Sequence, residues 1–143
     1  MREHRKLTYK RLDAALAWKR DNPGSYEAFL FALTERTREA VVVSHLRYQV
    51  GKFGFIAWRD YGYGSGAHTI YRLADKLGTP EAKKVAELVH KAKSMDIEAW
   101  VEGRGLTILE AEDSDLKQAF LDVEEAWADQ VEAYLAKPYS EAP

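Results

Sequence analysis

The chain has 143 residues, no cysteine and a formal charge of −2, from 21 Lys and Arg against 23 Asp and Glu. That length suits one domain able to bury a continuous core, and the lack of cysteine excludes a disulfide scaffold, a thiolate zinc site and a cysteine nucleophile. No apolar run follows the opening Met1-Arg-Glu-His-Arg-Lys6 and no stretch approaches a membrane span, so the expectation is a cytoplasmic protein without signal peptide or membrane partner.

The periodicity is helical from segment to segment. Tyr9, Leu12 and Leu16, with Ala15 alongside, predict a first helix over about 5–21, stopped by Asn22-Pro23-Gly24. Ser25 is the expected N-cap of a second helix whose face is Phe29, Leu30 and Leu33. Glu35 to Tyr48 reads as another helix with Val42, Val43 and Leu46 inward; Val41-Val42-Val43 is β-branched, but its flanks are better helix formers. Gly51 and Gly54 interrupt, Phe55 to Tyr61 is a short aromatic element, and Gly62 to Gly66 is a loop. Ala67 to Leu77 is helical through Ile70, Leu73, Ala74 and Leu77, with Gly78 as its C-terminal cap. Thr79-Pro80-Glu81 then starts a helix carrying Val85, Leu88, Val89 and Ala92. Within 96–110, Gly103 and Gly105 rule out one regular element, and Leu106 to Leu109 reads as a short strand or part of a hairpin over 103–110. The last helix is expected from Asp113 or Ser114 to Ala136, on the stripe Leu116, Phe120, Val123, Trp127, Val131 and Tyr134, ending before Pro138. The fold class is therefore all-α: one domain of about six helices over 1–136, with a tail at 137–143.

The small net charge hides its distribution. Residues 1–72 hold 13 bases and 7 acids, residues 73–143 hold 8 and 16. Residues 1–20 alone are +5, whereas residues 96–143 are −10, with 13 acids against Arg104, Lys117 and Lys137. Such asymmetry marks either a partner surface or two ends that neutralise each other.

Most chemical motifs fail on spacing. Gly62-Tyr-Gly-Ser-Gly66 lacks the preceding strand and the lysine of a phosphate loop. His4, His45, His68 and His90 have no metal-ligand spacing among them. Ser44 with His45, or Ser65 with His68, lacks an orienting third group. Glu110 to Asp115 resembles a calcium loop but misses the sixth-position glycine and the twelfth-position glutamate, and an N-cap at Asp113 or Ser114 accounts for it. No cofactor or metal is called for.

The acidic C-terminal helix is the informative feature. Asp115, Asp122, Glu125, Asp129 and Glu132 follow steps of seven, three, four and three, one stripe beside the apolar seam. The stripe spans roughly 25 Å at 1.5 Å per residue, one charge per about 5–6 Å. A DNA strand carries one about every 3.4 Å, so imitation needs a second row, for which Glu98, Glu102, Glu110 and Glu112 are candidates.

The run Gln49-Val50-Gly51-Lys52-Phe53-Gly54-Phe55, then Trp58, Tyr61, the loop at 62–66 and Leu77-Gly78-Thr79 before Ala82 and Val85, resembles the DNA-mimic-protein-like domain family over Leu46 to Ala92. Most members of that family are of unknown function. Its pattern has an Asn pair where this chain has Gly51-Lys52, and Gly where it has Phe53. The resemblance implies a helical fold that displays carboxylates to a DNA-binding partner. It also implies that Gly54 is a turn or tight backbone contact, and that Phe55, Trp58 and Tyr61 are core rather than catalytic.

The leading expectation is thus a non-enzymatic interaction protein. Its acidic face, Asp115, Asp122, Glu125, Asp129 and Glu132 with Glu98 and Glu102, would bind a basic, nucleic-acid-binding protein, in the manner of a DNA-mimic inhibitor of a repressor or defence complex. A homo-oligomer is compatible with it. The alternatives are a small-molecule or phosphate-handling enzyme built on the 62–66 loop with His68 and Asp60, and direct nucleic-acid contact by the basic first helix.

Overall fold

The structure is a computed structural model that describes residues 25–95, Gly103 and residues 106–137. The helix expected over 5–21 with its Asn22-Pro23-Gly24 stop, Glu98, Glu102, Gly105 and the tail from Pro138 lie outside the described residues.

The described residues form six α-helices: α1 (Tyr26–Phe31), α2 (Glu35–Phe53), α3 (Phe55–Asp60), α4 (Ala67–Leu77), α5 (Pro80–Lys93) and α6 (Leu106–Ala136). A 3-10 turn, Tyr63–Gly66, stands between α3 and α4, and there is no strand among the described residues. The all-α reading holds. The strand or hairpin expected near 103–110 does not: Leu106 to Leu109 form the first turn of α6, seven residues before the expected start. Leucine is a strong helix former, and in helical geometry Leu109 packs with Ile56 of α3 and Met95. Non-local burial decided the local conformation there.

The predicted boundaries hold at Ser25, Gly78 and Thr79-Pro80, whereas α2 runs through Gly51 to Phe53, past the expected end at Tyr48. Ser25 Oγ accepts from Ala28 N at 3.1 Å to start α1, and Thr79 Oγ1 accepts from Ala82 N at 3.1 Å ahead of Pro80 to start α5. Gly78 ends α4 in the left-handed region. Thr79 Oγ1 also donates to Gln130 Oε1 at 2.6 Å, and Gln130 Nε2 donates to Glu81 Oε1 at 3.0 Å. That pair of bonds ties the start of α5 to α6.

α2 is buried on several sides at once, through Val41, Val42, Val43, Leu46 and Val50. With Ala40 to Val43 buried all round, this helix lies within the fold, and α3, α4, α6 and the 3-10 turn pack against it. α5 lies between α4 and α6, contributing Val85, Leu88, Val89 and Ala92 as expected. Phe120, Trp127, Val131 and Leu135 of α6 close the core. The short α3 joins it through Phe55 and Trp58. Phe55 meets Trp58 and Phe120 edge to face at 6.1 and 5.9 Å between centroids, and Phe120 meets Trp127 at 5.9 Å. Each such ring contributes roughly 1.5–3 kcal/mol by leaving water. Tyr61, expected in that core, is instead 63% exposed, because α3 ends at Asp60 and Tyr61 caps it from outside.

Three arginines of the basic half are spent on helix ends. Arg38 donates to Leu30 O in the last turn of α1 and to Leu33 O just beyond it, at 2.8 and 3.0 Å. Arg59 donates to Ala92 O and Met95 O at 3.0 and 2.6 Å, at the end of α5. Arg36, buried, donates to Tyr134 O at 2.6 Å near the end of α6 and stacks 4.2 Å over the Tyr134 ring. Each adds a charged donor to carbonyls in or just past the last turn of a helix, at the negative end of its dipole.

Candidate functional site

The acidic stripe of α6 divides along its length. Asp115, Asp122 and Glu125 are exposed, with Asp122 Oδ1 accepting from Gln118 Nε2 at 3.0 Å. Asp129 is half-buried, and Glu132 is 2% exposed. Both are engaged within the chain. Glu132 is therefore corrected from a solvent-facing position to an interior one. The reason lies in its neighbours: Ala128, Glu132 and Leu135 are four and three residues apart, form a second buried side of α6, and leave it covered on two sides near its end.

Arg47 of α2 stands beside the exposed part, its Nε 3.8 Å from Glu124 and its Nη2 3.9 Å from Glu125. At those lengths and partial exposure the contacts add little stability, but they hold positive charge beside the carboxylates. Ile108 and Leu121, 67% and 39% exposed, lie on the same helix. The solvent side of α6 thus mixes Asp115, Asp122 and Glu125 with two large apolar side chains.

Asp113 does not cap α6. It sits inside that helix and caps α3 instead, Oδ1 accepting from Phe55 N at 2.7 Å and Ile56 N at 3.1 Å. Burial pushes its carboxyl above the ordinary range, against the pull of those two N–H groups and of Lys117. The contact explains Gly54, whose φ of +98° favours glycine and whose Cβ, if present, would lie 2.4 Å from Asp113 Oδ2. Gly54 is a turn and a tight contact, here with a side chain 59 positions along.

His4 lies outside the described residues, and among the described ones His45, His68, His90 and the glycine loop are not joined to one another by hydrogen bonds. His45 packs between Tyr26 and Tyr63, at 5.4 and 4.9 Å between centroids, and burial lowers its pKa to about 4. The Tyr26 hydroxyl and His45 Nδ1 share a hydrogen bond of 2.9 Å. Ser44 Oγ is buried without a hydrogen-bond partner, one residue away on the helix and turned elsewhere. His68 and Ser65 are exposed on the wall of a surface groove, Asp60 is exposed at the end of α3, and no hydrogen bond joins the three. Among the described residues no three His, Asp or Glu side chains converge as metal ligands, and no helix is long and apolar enough to cross a membrane.

An ionic network centred on buried Glu39, invisible in the sequence, links three helices. Lys76 of α4 donates to Glu35 and, at 2.8 Å, to Glu39 Oε2 of α2, and Tyr134 Oη of α6 donates to both Glu39 oxygens at 3.1 Å. Burial alone would lower the Lys76 pKa, but its bonds to Glu35 and Glu39 outweigh it and raise the value. No protein-family model, curated protein or solved structure matches this chain.

Proposed function

We propose that the protein is a non-enzymatic interaction protein whose acidic face on α6 binds a basic, nucleic-acid-binding protein and competes with nucleic acid for it. The observation that carries this reading is the exposed set Asp115, Asp122 and Glu125 on one side of a 31-residue helix, with Ile108 and Leu121 exposed beside it. Carboxylates steer a cationic partner and the apolar pair gives it something to bury. The three carboxylates stand about 10 and 5 Å apart along the axis, at 1.5 Å per residue. That is sparser than a phosphate row, about 3.4 Å per charge, so this face supports charge complementarity rather than a copy of the backbone.

The test is capture on the immobilised protein from a nuclease-treated lysate of its source. A basic nucleic-acid-binding protein should be retained, released by added duplex DNA and by raised salt, and lost with Asp115→Asn/Asp122→Asn/Glu125→Gln. Retention by that triple variant overturns the interface.

A further inference from the structure

Away from α6, a groove of ≈ 500 Å³ opens between α1, α2 and α4. Its size is that of small-molecule sites. One wall is the polar side of α4: Ser65 just before it, then Thr69, Arg72 and Lys76, at steps of four, three and four, opposite the core face of Ile70, Leu73 and Ala74. The facing wall is α1, with Glu27, Leu30 and Phe31, and a second hollow of ≈ 370 Å³ shares Glu27, Ser65 and His68 with the first.

The charges in the groove balance in number, three acids against three bases, yet they differ in what they do. Lys76 is held by Glu35 and Glu39, and Arg38 donates to Leu30 O and Leu33 O. Arg72 and Glu27 remain, both exposed, with no hydrogen bond or ion pair to another described residue. One is a cation on the α4 wall and the other an anion on the α1 wall. A guanidinium presents a fork that fits a carboxylate, and Thr69, one turn away, places a hydroxyl on the same side. Between the walls Phe31 is 72% exposed beside buried Leu30, a large apolar surface open to the groove.

We infer that this groove binds a small amphipathic zwitterion, a molecule with a carboxylate for Arg72, an ammonium for Glu27 and an apolar group against Phe31. A ligand with one charge of either sign meets as many like charges as opposite ones in a groove of zero net charge. A zwitterion meets each wall with the complementary sign. Free amino acids and short peptides share that chemistry. The inference is independent of the α6 face, since no residue is common to the two.

The test is calorimetric titration of the full chain with L-phenylalanine and with the dipeptide phenylalanyl-alanine, against 3-phenylpropionate and phenethylamine as single-charge controls. At least one zwitterion should bind saturably and about tenfold or more tighter than either control, and which one binds separates amino acid from peptide. Arg72→Gln and Glu27→Gln should each weaken it by about tenfold, the value of one charge-assisted bond, and Phe31→Ala should weaken it too. Both charged side chains are exposed, so the variants should keep the helical circular dichroism of the parent. Absence of binding by both zwitterions overturns the inference, as do controls that bind equally well or charge variants that bind unchanged.

Discussion

His45 shows how a single side chain links packing to pH. Enclosed by Tyr26 and Tyr63, it is kept neutral, its pKa falling from the ordinary 6.5 to about 4 because burial disfavours the imidazolium. The unfolded chain takes up a proton near pH 6.5 and the folded one only near pH 4. Over that window the unfolded state therefore binds more protons, and stability falls as pH falls. The loss is complete below about pH 4 and absent above pH 7, and a shift of this size corresponds to a few kcal/mol. Urea denaturation of the parent and of His45→Gln at pH 7 and pH 4 checks it. The parent should lose more stability between the two than the variant, and equal losses would sink the assignment. Tyr26 reads in the sequence only as a residue after a cap, and His45 only as an unpaired histidine. Their contact spans 19 positions, and no local pattern records it.

At the scale of elements, caps written in neighbouring residues were legible and caps supplied from a distance were not. Ser25, Gly78 and Thr79-Pro80 mark their helices within a turn, since the bonds that satisfy the first N–H groups are local. Asp113 looks like a cap of its own helix and serves another one, and Arg38, Arg59 and Arg36 serve helix C-termini from elsewhere in the fold. The Gly54–Asp113 junction gives a sharp expectation. Gly54→Ala places a side chain in a backbone region nearly reserved for glycine and against a carboxylate, and should cost more than about 2 kcal/mol. Asp113→Ala loses the cap of α3 and should cost about 1 kcal/mol. Adding it to Gly54→Ala relieves the contact but not the backbone, so the double variant should stay near or below Gly54→Ala. Thermal denaturation of the three decides; a Gly54→Ala variant as stable as the parent refutes the strained junction.

At the scale of the molecule, α2 is the hub, and Glu39 is its polar counterpart to the valines. Buried Glu39 is bonded by Lys76 from α4 and Tyr134 from α6, so one carboxylate holds three helices in register. Glu39→Gln should destabilise by about 2 kcal/mol and Tyr134→Phe by about 1 kcal/mol. The double variant should lose less than the sum by about 0.5 kcal/mol or more, the mark of a shared network. Additive losses in urea denaturation would show the two contacts to be independent. The sequence alone settled the helical class, most helix boundaries and the segregation of charge, because hydrophobic period, capping and charge counts are local or additive quantities. Only the tertiary structure decided that Leu106 to Leu109 are helical, that Asp113 caps α3 and that Glu132 faces inward. It also decided that the −2 total conceals a groove with its own balance of charge as well as a shortened acidic face. Those outcomes depend on which surfaces meet. Asp113 meets α3 across 57 and 58 positions and Leu109 packs on Ile56 of the same helix, and such energies enter no window of neighbouring residues.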